Sequence, residues 1–327
     1  MAFSFDMIPY KKIDGSMVYL GDQVSETFGK MAGRNLKEQI NFFEKIDSQT
    51  KIFPILHGPT KNGLESYTYN MLSQLNEAEI SKLGCLAAGG LIWTQNFQIL
   101  ERAVNCYQLE FPDKIKQHFH ALGICGFRKL MPILIGVRNG LLPGCQNFSF
   151  DSTKLVKSYV YGYVLPTLEE MKVGKGERTL GKVRNSEVEE YYIQMWEFWK
   201  EMPENPFSGP EDLLEHSVFN SKGLNDTEIF HQLGLEAGIK SVTQIIFYAY
   251  YNTFKFLHVI ESYLRGEVEL SDFMGRYPKL HLLEELETIN DVDVFRDWME
   301  SVRYAKGRNK ISYQKPACGI EATKWLF

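Results

Sequence analysis

The sequence predicts an α/β protein built on a parallel sheet. Five short apolar runs each stop at a small or polar residue: Met17-Val18-Tyr19-Leu20-Gly21-Asp22, Ile52-Phe53-Pro54-Ile55-Leu56-His57-Gly58, Leu83-Gly84-Cys85-Leu86-Ala87-Ala88-Gly89-Gly90, Phe119-His120-Ala121-Leu122-Gly123-Ile124-Cys125 and Asn147-Phe148-Ser149-Phe150-Asp151. Each is followed by a helix-like stretch, and repeated strand-then-helix units argue a parallel sheet covered by helices. In such sheets, and above all in (β/α)₈ barrels, chemistry gathers at the C-terminal strand ends. Asp22, His57, the Gly89-Gly90 pair and Asp151 are therefore expected around one pocket. A barrel of that kind needs eight βα units, and the chain offers about five. The expected fold is a partial TIM-like β/α barrel of about five parallel strands, plus an inserted and a C-terminal helical region.

The elements follow in order. Phe28, Met31, Leu36, Ile40, Phe42, Phe43 and Ile46 recur near helical spacing over 25–46, with Ser25 available as N-cap. Residues 64–76 and 94–111 read as further amphipathic helices. Arg128 to Arg138 reads as a helix closed by Asn139-Gly140. Ser152 is placed to cap a helix from Thr153 to Tyr161. From about 163 to 235 the pattern changes: a basic, glycine-containing loop over 172–184, an aromatic helix from Glu187 to Met202, and a Pro/Gly-punctuated stretch. A long apolar helix spans 241–266, interrupted by Asn252, Lys255, His258 and Glu261, and two helices near 279–289 and 292–305 precede a basic tail. The expected division is a core at 1–165, an insertion or side layer at 166–240, and C-terminal helices with the tail at 241–327.

Composition narrows the function classes. The 327 residues are 44% hydrophobic and 24% charged, enough for a sizeable core. The net charge of −5 gives no global attraction to nucleic acid, so such a role needs a local basic face. Cys85, Cys106, Cys125, Cys145 and Cys318 are odd in number and show no metal-ligand spacing, which reads as buried thiols in a reducing cytosol. No metal or cofactor is expected. Neither a secretory leader nor a bilayer-length apolar run is visible, so a cytoplasmic protein with no membrane contact is expected.

The order GD, I-L-H-G, A-G-G-L, A-L-G-I-C, F-D-S-T over residues 17–165 resembles the C-terminal two-thirds of the tRNA-guanine transglycosylase barrel. It is closest to the branch that inserts 7-deazaguanine bases into DNA. The resemblance implies base exchange: an aspartate attacks the sugar C1′, guanine leaves, and a 7-deazaguanine takes its place. It puts the nucleophile at Asp151, where a strand-end carboxylate suits a covalent glycosyl intermediate; the same residue also reads as a helix cap. It puts base recognition at Asp22, whose carboxylate can accept from N1–H and the 2-amino group together; the alternative is a turn aspartate. His57 stands where the family has glutamine, beside Gly58, and can equally be structural. Gly89 and Gly90 match the family's glycine pair, which either lets backbone approach the base or serves tight packing. Leu122, with Gly123 after it, falls where the family sets an apolar side chain against the base. Tyr19 or Phe119 is a candidate aromatic face, and Asn147, Ser149 and Thr153 are candidates to tune the nucleophile.

The resemblance also has gaps. The family's DSGGF-type motif with its general acid/base aspartate is absent, its C-x-C-x₂-C…H zinc site is absent, and about three strands are missing. Together these imply the C-terminal part of a split enzyme. A second chain would supply the missing strands and the acid/base aspartate, or the chain would form a homo-oligomer.

The expected partners are DNA, alternatively tRNA, and a 7-deazaguanine base. The target base must be flipped out or already unpaired. Lys172, Lys175, Arg178, Lys182 and Arg184, and Arg303, Lys306, Arg308 and Lys310, are the candidate phosphate contacts; the second group is interleaved with Tyr304 and Tyr313. Each stretch also reads as a solvated face. Two rivals remain at this point: a non-catalytic subunit that binds nucleic acid, and an unrelated barrel enzyme acting on a sugar or phosphate.

Overall fold

The computed structural model describes residues 2–3, 8–13, 16–91, 96–124, 126–151, 163–175, 178–179, 185–215 and 239–305. The chain forms two compact units, Met1–Asp151 with His281–Phe327, and Ser152–Leu280. The first carries β1 (Ala2–Phe3), β2 (Tyr10–Ile13), β3 (Ser16–Tyr19), α1 (Asp22–Lys45), β4 (Ile52–Phe53), β5 (Ile55–Leu56), α2 (Lys61–Leu72), α3 (Glu77–Ile80), β6 (Leu86–Ala88), α4 (Asn96–Tyr107), α5 (Asp113–Lys116), β7 (His118–Ala121), α6 (Phe127–Arg138) and β8 (Asn147–Phe150).

Strands β5, β6, β7 and β8 form a parallel sheet whose spatial order is the chain order. Pro54 alone separates β4 from β5, and β4 is itself paired in parallel with β1. Proline has no N–H for a ladder, and the Pro54 carbonyl still accepts from the Ala87 N–H at 3.3 Å. Side chains alternate between the two faces of each strand. Leu56, Leu86, Ala88, Phe119 and Ala121 are buried on one face, where Phe119 meets Tyr107 of α4. Phe53, Ile55, Cys85 and Ala87 pack together on the other, with Leu122 against them.

The first apolar run departs from expectation. Residues 16–19 pair antiparallel with 10–13, so β3 belongs to a hairpin and not to the parallel sheet. Its β-prone residues signal a strand equally well in either setting; only the partner differs. Ser25 is not the N-cap of α1. That position is Gly21, at φ 103°, and Ser25 is buried within the helix with its hydroxyl on that of Tyr19 at 2.6 Å. Phe119 is fully buried on the helix-covered face, so it offers no ring to a ligand at the strand ends.

Helices α1 and α2 pack through glycines. A Cβ on Gly29 would stand 2.3 Å from the Tyr67 carbonyl oxygen, and one on Gly33 2.3 Å from that of Met71. The last helices of this unit are α12 (Leu280–Glu287), from His281 onward, and α13 (Val292–Ala305). Asn139, the C-cap of α6, donates its amide to the carbonyls of Leu286, Glu287 and Ile289.

The second unit contains β9 (Tyr163–Val164), α7 (Leu168–Lys172), β10 (Arg178–Thr179), α8 (Asn185–Trp199), α9 (Pro210–Glu215), α10 (Ile239–Leu264) and α11 (Leu270–Met274). The stretch expected as a loop over 172–184 contains the end of α7 and β10, which pairs antiparallel with β9. Tyr191, Tyr192 and Met195 of α8 pack on Phe247, Tyr248 and Tyr251 of α10. The polar residues inside α10 are used internally. Asn252 donates to the Tyr191 hydroxyl and accepts from the Leu165 N–H, and Lys255 donates to the Leu165 carbonyl while facing the rings of Tyr191 and Tyr251. No helix among the described residues is long and apolar enough to cross a membrane.

Candidate functional site

The register of the parallel sheet aligns residues that are far apart in sequence. Leu56 pairs with Ala88, Ala88 with Ala121, and Ala121 with Phe150. One residue further along each strand lie His57, Gly89, Leu122 and Asp151. The ladder reaches them, because the N–H groups of Gly89, Leu122 and Asp151 donate to Leu56, Ala88 and Ala121. These four positions therefore form one row across the C-terminal ends of the sheet. Three strand spacings, about 14 Å, separate its ends. Two residues back, on the same face, lies the row Ile55, Ala87, His120, Ser149.

At the β5 end, His57 is buried and its ring leans over Gly89. A Cβ there would stand 2.2 Å from His57 Cε1, so glycine at 89 makes room for the imidazole. Beyond the row, the Arg102 guanidinium of α4 gathers the strand-end backbone: it donates to the carbonyls of Gly58 and Gly90 and, at 2.7 Å, to the Tyr10 hydroxyl. Arg102 is only 7% exposed. Tyr10 also packs against His57 and Tyr19.

Asp22 stands at the first position of α1, on the exposed surface. Its Oδ1 accepts from Tyr19 at 2.8 Å and from Thr60 at 3.2 Å, while Oδ2 has no partner among the described residues. Burial, followed by the neighbouring Asp22 carboxylate, holds the Tyr19 hydroxyl protonated. A carboxylate at a helix N-terminus is favoured by the helix dipole. Asp22 thus belongs to the His57 end of the row through Tyr19 and Tyr10; Asp151 is at the other end.

At the β8 end, the Asp151 side chain is 51% exposed. Its Oδ1 accepts from the Gly123 N–H at 2.6 Å, and Gly123 adopts φ 72°, a conformation glycine takes without strain. Oδ2 has no partner among the described residues. Behind Asp151 lies a polar cluster on the inner face. Ser149 Oγ is 2.6 Å from His118 Nε2 and 2.8 Å from His120 Nδ1, and His120 Nε2 is 3.8 Å from Asp151 Oδ1. Phe53 packs against both imidazoles. Burial pulls both histidines below the ordinary imidazole value; for His120 the Asp151 charge opposes that effect and His118 adds to it.

The remaining sequence candidates lie elsewhere. Lys172 and Lys175 are exposed in the second unit, Lys175 paired with Glu170 at 3.2 Å. Arg178 lies on β10 and Arg303 on α13. Lys182, Arg184, Lys306, Arg308, Lys310, Thr153 and the expected helix after Ser152 fall outside the described residues. Three side chains were not singled out as site residues from sequence: Arg102, His118 and His120. The His118-Phe119-His120 pattern at the start of the fourth apolar run was the available signal, since alternate residues of a strand share a face. Arg102 gave no signal, being one charge within an amphipathic helix. Burial pushes the Cys106 thiol up to about 12 and raises those of Cys85 and Cys145, so none of the three is a ready nucleophile. Among the described residues, no three His, Cys, Asp or Glu side chains converge as metal ligands.

No protein-family model matches the chain, and no curated protein matches it.

Proposed function

We propose that this chain is a component of a transglycosylase that replaces a guanine in DNA, or alternatively in tRNA, with a 7-deazaguanine, and that Asp151 is the nucleophile at the sugar C1′. The observation that carries the reading is the state of Asp151. It ends the last strand of a parallel sheet that runs in chain order, half-exposed, with one oxygen fixed by a backbone N–H and the other open among the described residues. A carboxylate so held can attack an oxocarbenium-like carbon and carry the sugar as an ester.

On this reading Asp22 recognises the base. With Oδ1 occupied by two hydroxyls, Oδ2 is the oxygen that faces the N1–H and 2-amino donors. His57, Gly58, Gly89 and Gly90 form the wall on that side, and Leu122 with Gly123 lies between the wall and the nucleophile. A sheet whose strands follow one another in space, without the order reversal of a doubly wound sheet, suits an incomplete β/α barrel. Further strands then come from a second chain or a second copy of this one. Lys172, Lys175, Arg178, Lys182 and Arg184, with Arg303, Lys306, Arg308 and Lys310, are the proposed phosphate contacts. They offset the few kcal/mol needed to flip a base. The reaction requires no cofactor, and a DNA substrate implies the cytoplasm.

The test is release of isotopically labelled guanine from an oligonucleotide when a 7-deazaguanine base is added, with and without candidate partner chains. Wild type should release label, and Asp151→Asn should release it at least ~10³-fold more slowly. Equal release by the variant would overturn the assignment. Oligonucleotide binding with no release under any condition would favour a non-catalytic subunit.

A further inference from the structure

Helix α10 is apolar on two sides, and only one of them is covered. Tyr248, Phe256, Val259 and Tyr263 are buried within the second unit. Ile246, Tyr250, Phe254, Leu257 and Leu264 are exposed, Tyr250 at 61% and Phe254 at 49%. With 3.6 residues per turn, these five and Glu261 fall in a stripe about 80° wide. From Tyr250 the stripe advances by steps of four, three, four and three residues, through Phe254, Leu257 and Glu261 to Leu264. That is the spacing of a coiled-coil seam. Phe198 of α8 widens it, its ring centroid 4.7 Å from that of Phe254. Each of these apolar side chains is about half bare and offers on the order of 200 Å², so the patch comes to roughly 500 Å². Scattered exposed apolar residues are ordinary, but a contiguous patch of this size marks an interface. Two such faces together reach about 1,000 Å², the lower bound for a specific protein pair.

The polar groups in the stripe say what covers it. Glu261 is the one charged residue of the seam; its Oε1 accepts from Arg265, one turn on. The Tyr250 hydroxyl has no partner among the described residues. Two copies of α10 related by a two-fold axis run antiparallel. With the axis midway between Phe254 and Leu257, Phe254 of each copy faces Leu257 of the other, and Tyr250 of each faces Glu261 of the other. The Tyr250 hydroxyl then donates to the carboxylate oxygen that Arg265 leaves open, and Ile246 lies along the Arg265 stem. Every contact occurs twice, as an isologous interface requires, and the antiparallel helix dipoles attract. A membrane surface is a poorer occupant. It would favour a stripe flanked by Lys and Arg, whereas this one contains a carboxylate and its neighbouring Arg265 is already paired. We propose that the Tyr250–Leu264 face of α10 is a homodimerisation surface on which a second copy of this chain packs antiparallel. The proposal stands on the second unit alone and does not depend on the base-exchange reading.

The test is sedimentation of the full chain. Wild type should be a dimer at tens of micromolar and dissociate on dilution. Phe254→Lys and Leu257→Asp should each raise the dimer Kd at least ~30-fold. Mixed in equal amounts, the two variants should form a mixed dimer, because the antiparallel register sets the two replaced positions against each other. Both side chains are half-exposed, so circular dichroism should show the fold retained. Hydroxyl-radical footprinting of wild type needs no variant: Tyr250, Phe254 and Leu257 should become protected as concentration rises through the Kd. A wild-type monomer at every concentration, protection confined to other residues, or a dimer indifferent to both substitutions overturns the proposal. Dissociation by each substitution with no recovery on mixing overturns the antiparallel register. A monomer that co-sediments with anionic phospholipid vesicles overturns it in favour of a membrane surface.

Discussion

His118 and His120 are pulled below the ordinary imidazole value chiefly by burial. Among the groups that face them are each other, Ser149, Phe53 and Asp151. From about pH 6.5 downward the unfolded chain protonates its histidines first, so in that window it binds more protons than the folded one. The histidine contribution to stability is therefore complete above about 6.5 and is lost as pH falls through the folded-state values. The urea midpoint should drop between pH 7.5 and 5.5, and the drop should be smaller in His118→Gln/His120→Gln; equal drops would contradict the assignment. Arg102 offers a second test. Arg102→Met removes a buried guanidinium from the Gly58 and Gly90 carbonyls and from Tyr10. Equilibrium unfolding should show a loss of about 1.5–3 kcal/mol. Asp22, His57 and Asp151 could be singled out in the sequence because each ends an apolar run; the strand-end row holds His57 and Asp151, while Asp22 follows a hairpin strand. Arg102 could not, since its role depends on a contact across 44 residues. Gly89 was read with two roles open, and the structure shows a close packing contact, with His57.

At the level of elements, the α1–α2 crossing is the tightest test of packing. Gly→Ala in a helix interior normally gains about 0.5–1 kcal/mol. At Gly29 and Gly33 the new methyl would meet backbone carbonyl oxygens at 2.3 Å, and backbone cannot yield as a side chain does. Overpacking costs about 1–3 kcal/mol, so Gly29→Ala and Gly33→Ala should each lower stability in thermal or urea unfolding. A gain at either position would show that the helices sit further apart. Helical periodicity made the longer helices legible: α1, α2, α4, α6, α8, α10, α12 and α13 stand within a few residues of their expected bounds. The hairpin of β2 and β3 was not, because Tyr10–Ile13 is a short, half-polar strand with two adjacent lysines. Strand pairing depends on what lies alongside, and one strand's own residues do not encode that.

For the molecule as a whole, the expected side layer and the long helix α10 form one compact unit, while α13 belongs with the sheet. The formal charge of −5 gives nucleic acid no general attraction, so binding should depend on local cations and fall steeply with salt. Replacing Lys172 and Lys175 by Ala should weaken oligonucleotide binding and flatten that salt dependence, as read by fluorescence anisotropy. The central claim is that Asp151 bonds to the sugar, and one measurement addresses it directly. The full chain is incubated with a guanine-containing oligonucleotide and a 7-deazaguanine, denatured, digested and mapped by mass spectrometry. The account predicts a nucleotide-bearing peptide modified at Asp151. An adduct on Asp22 or any other residue, or none where wild-type base exchange is under way, would contradict it.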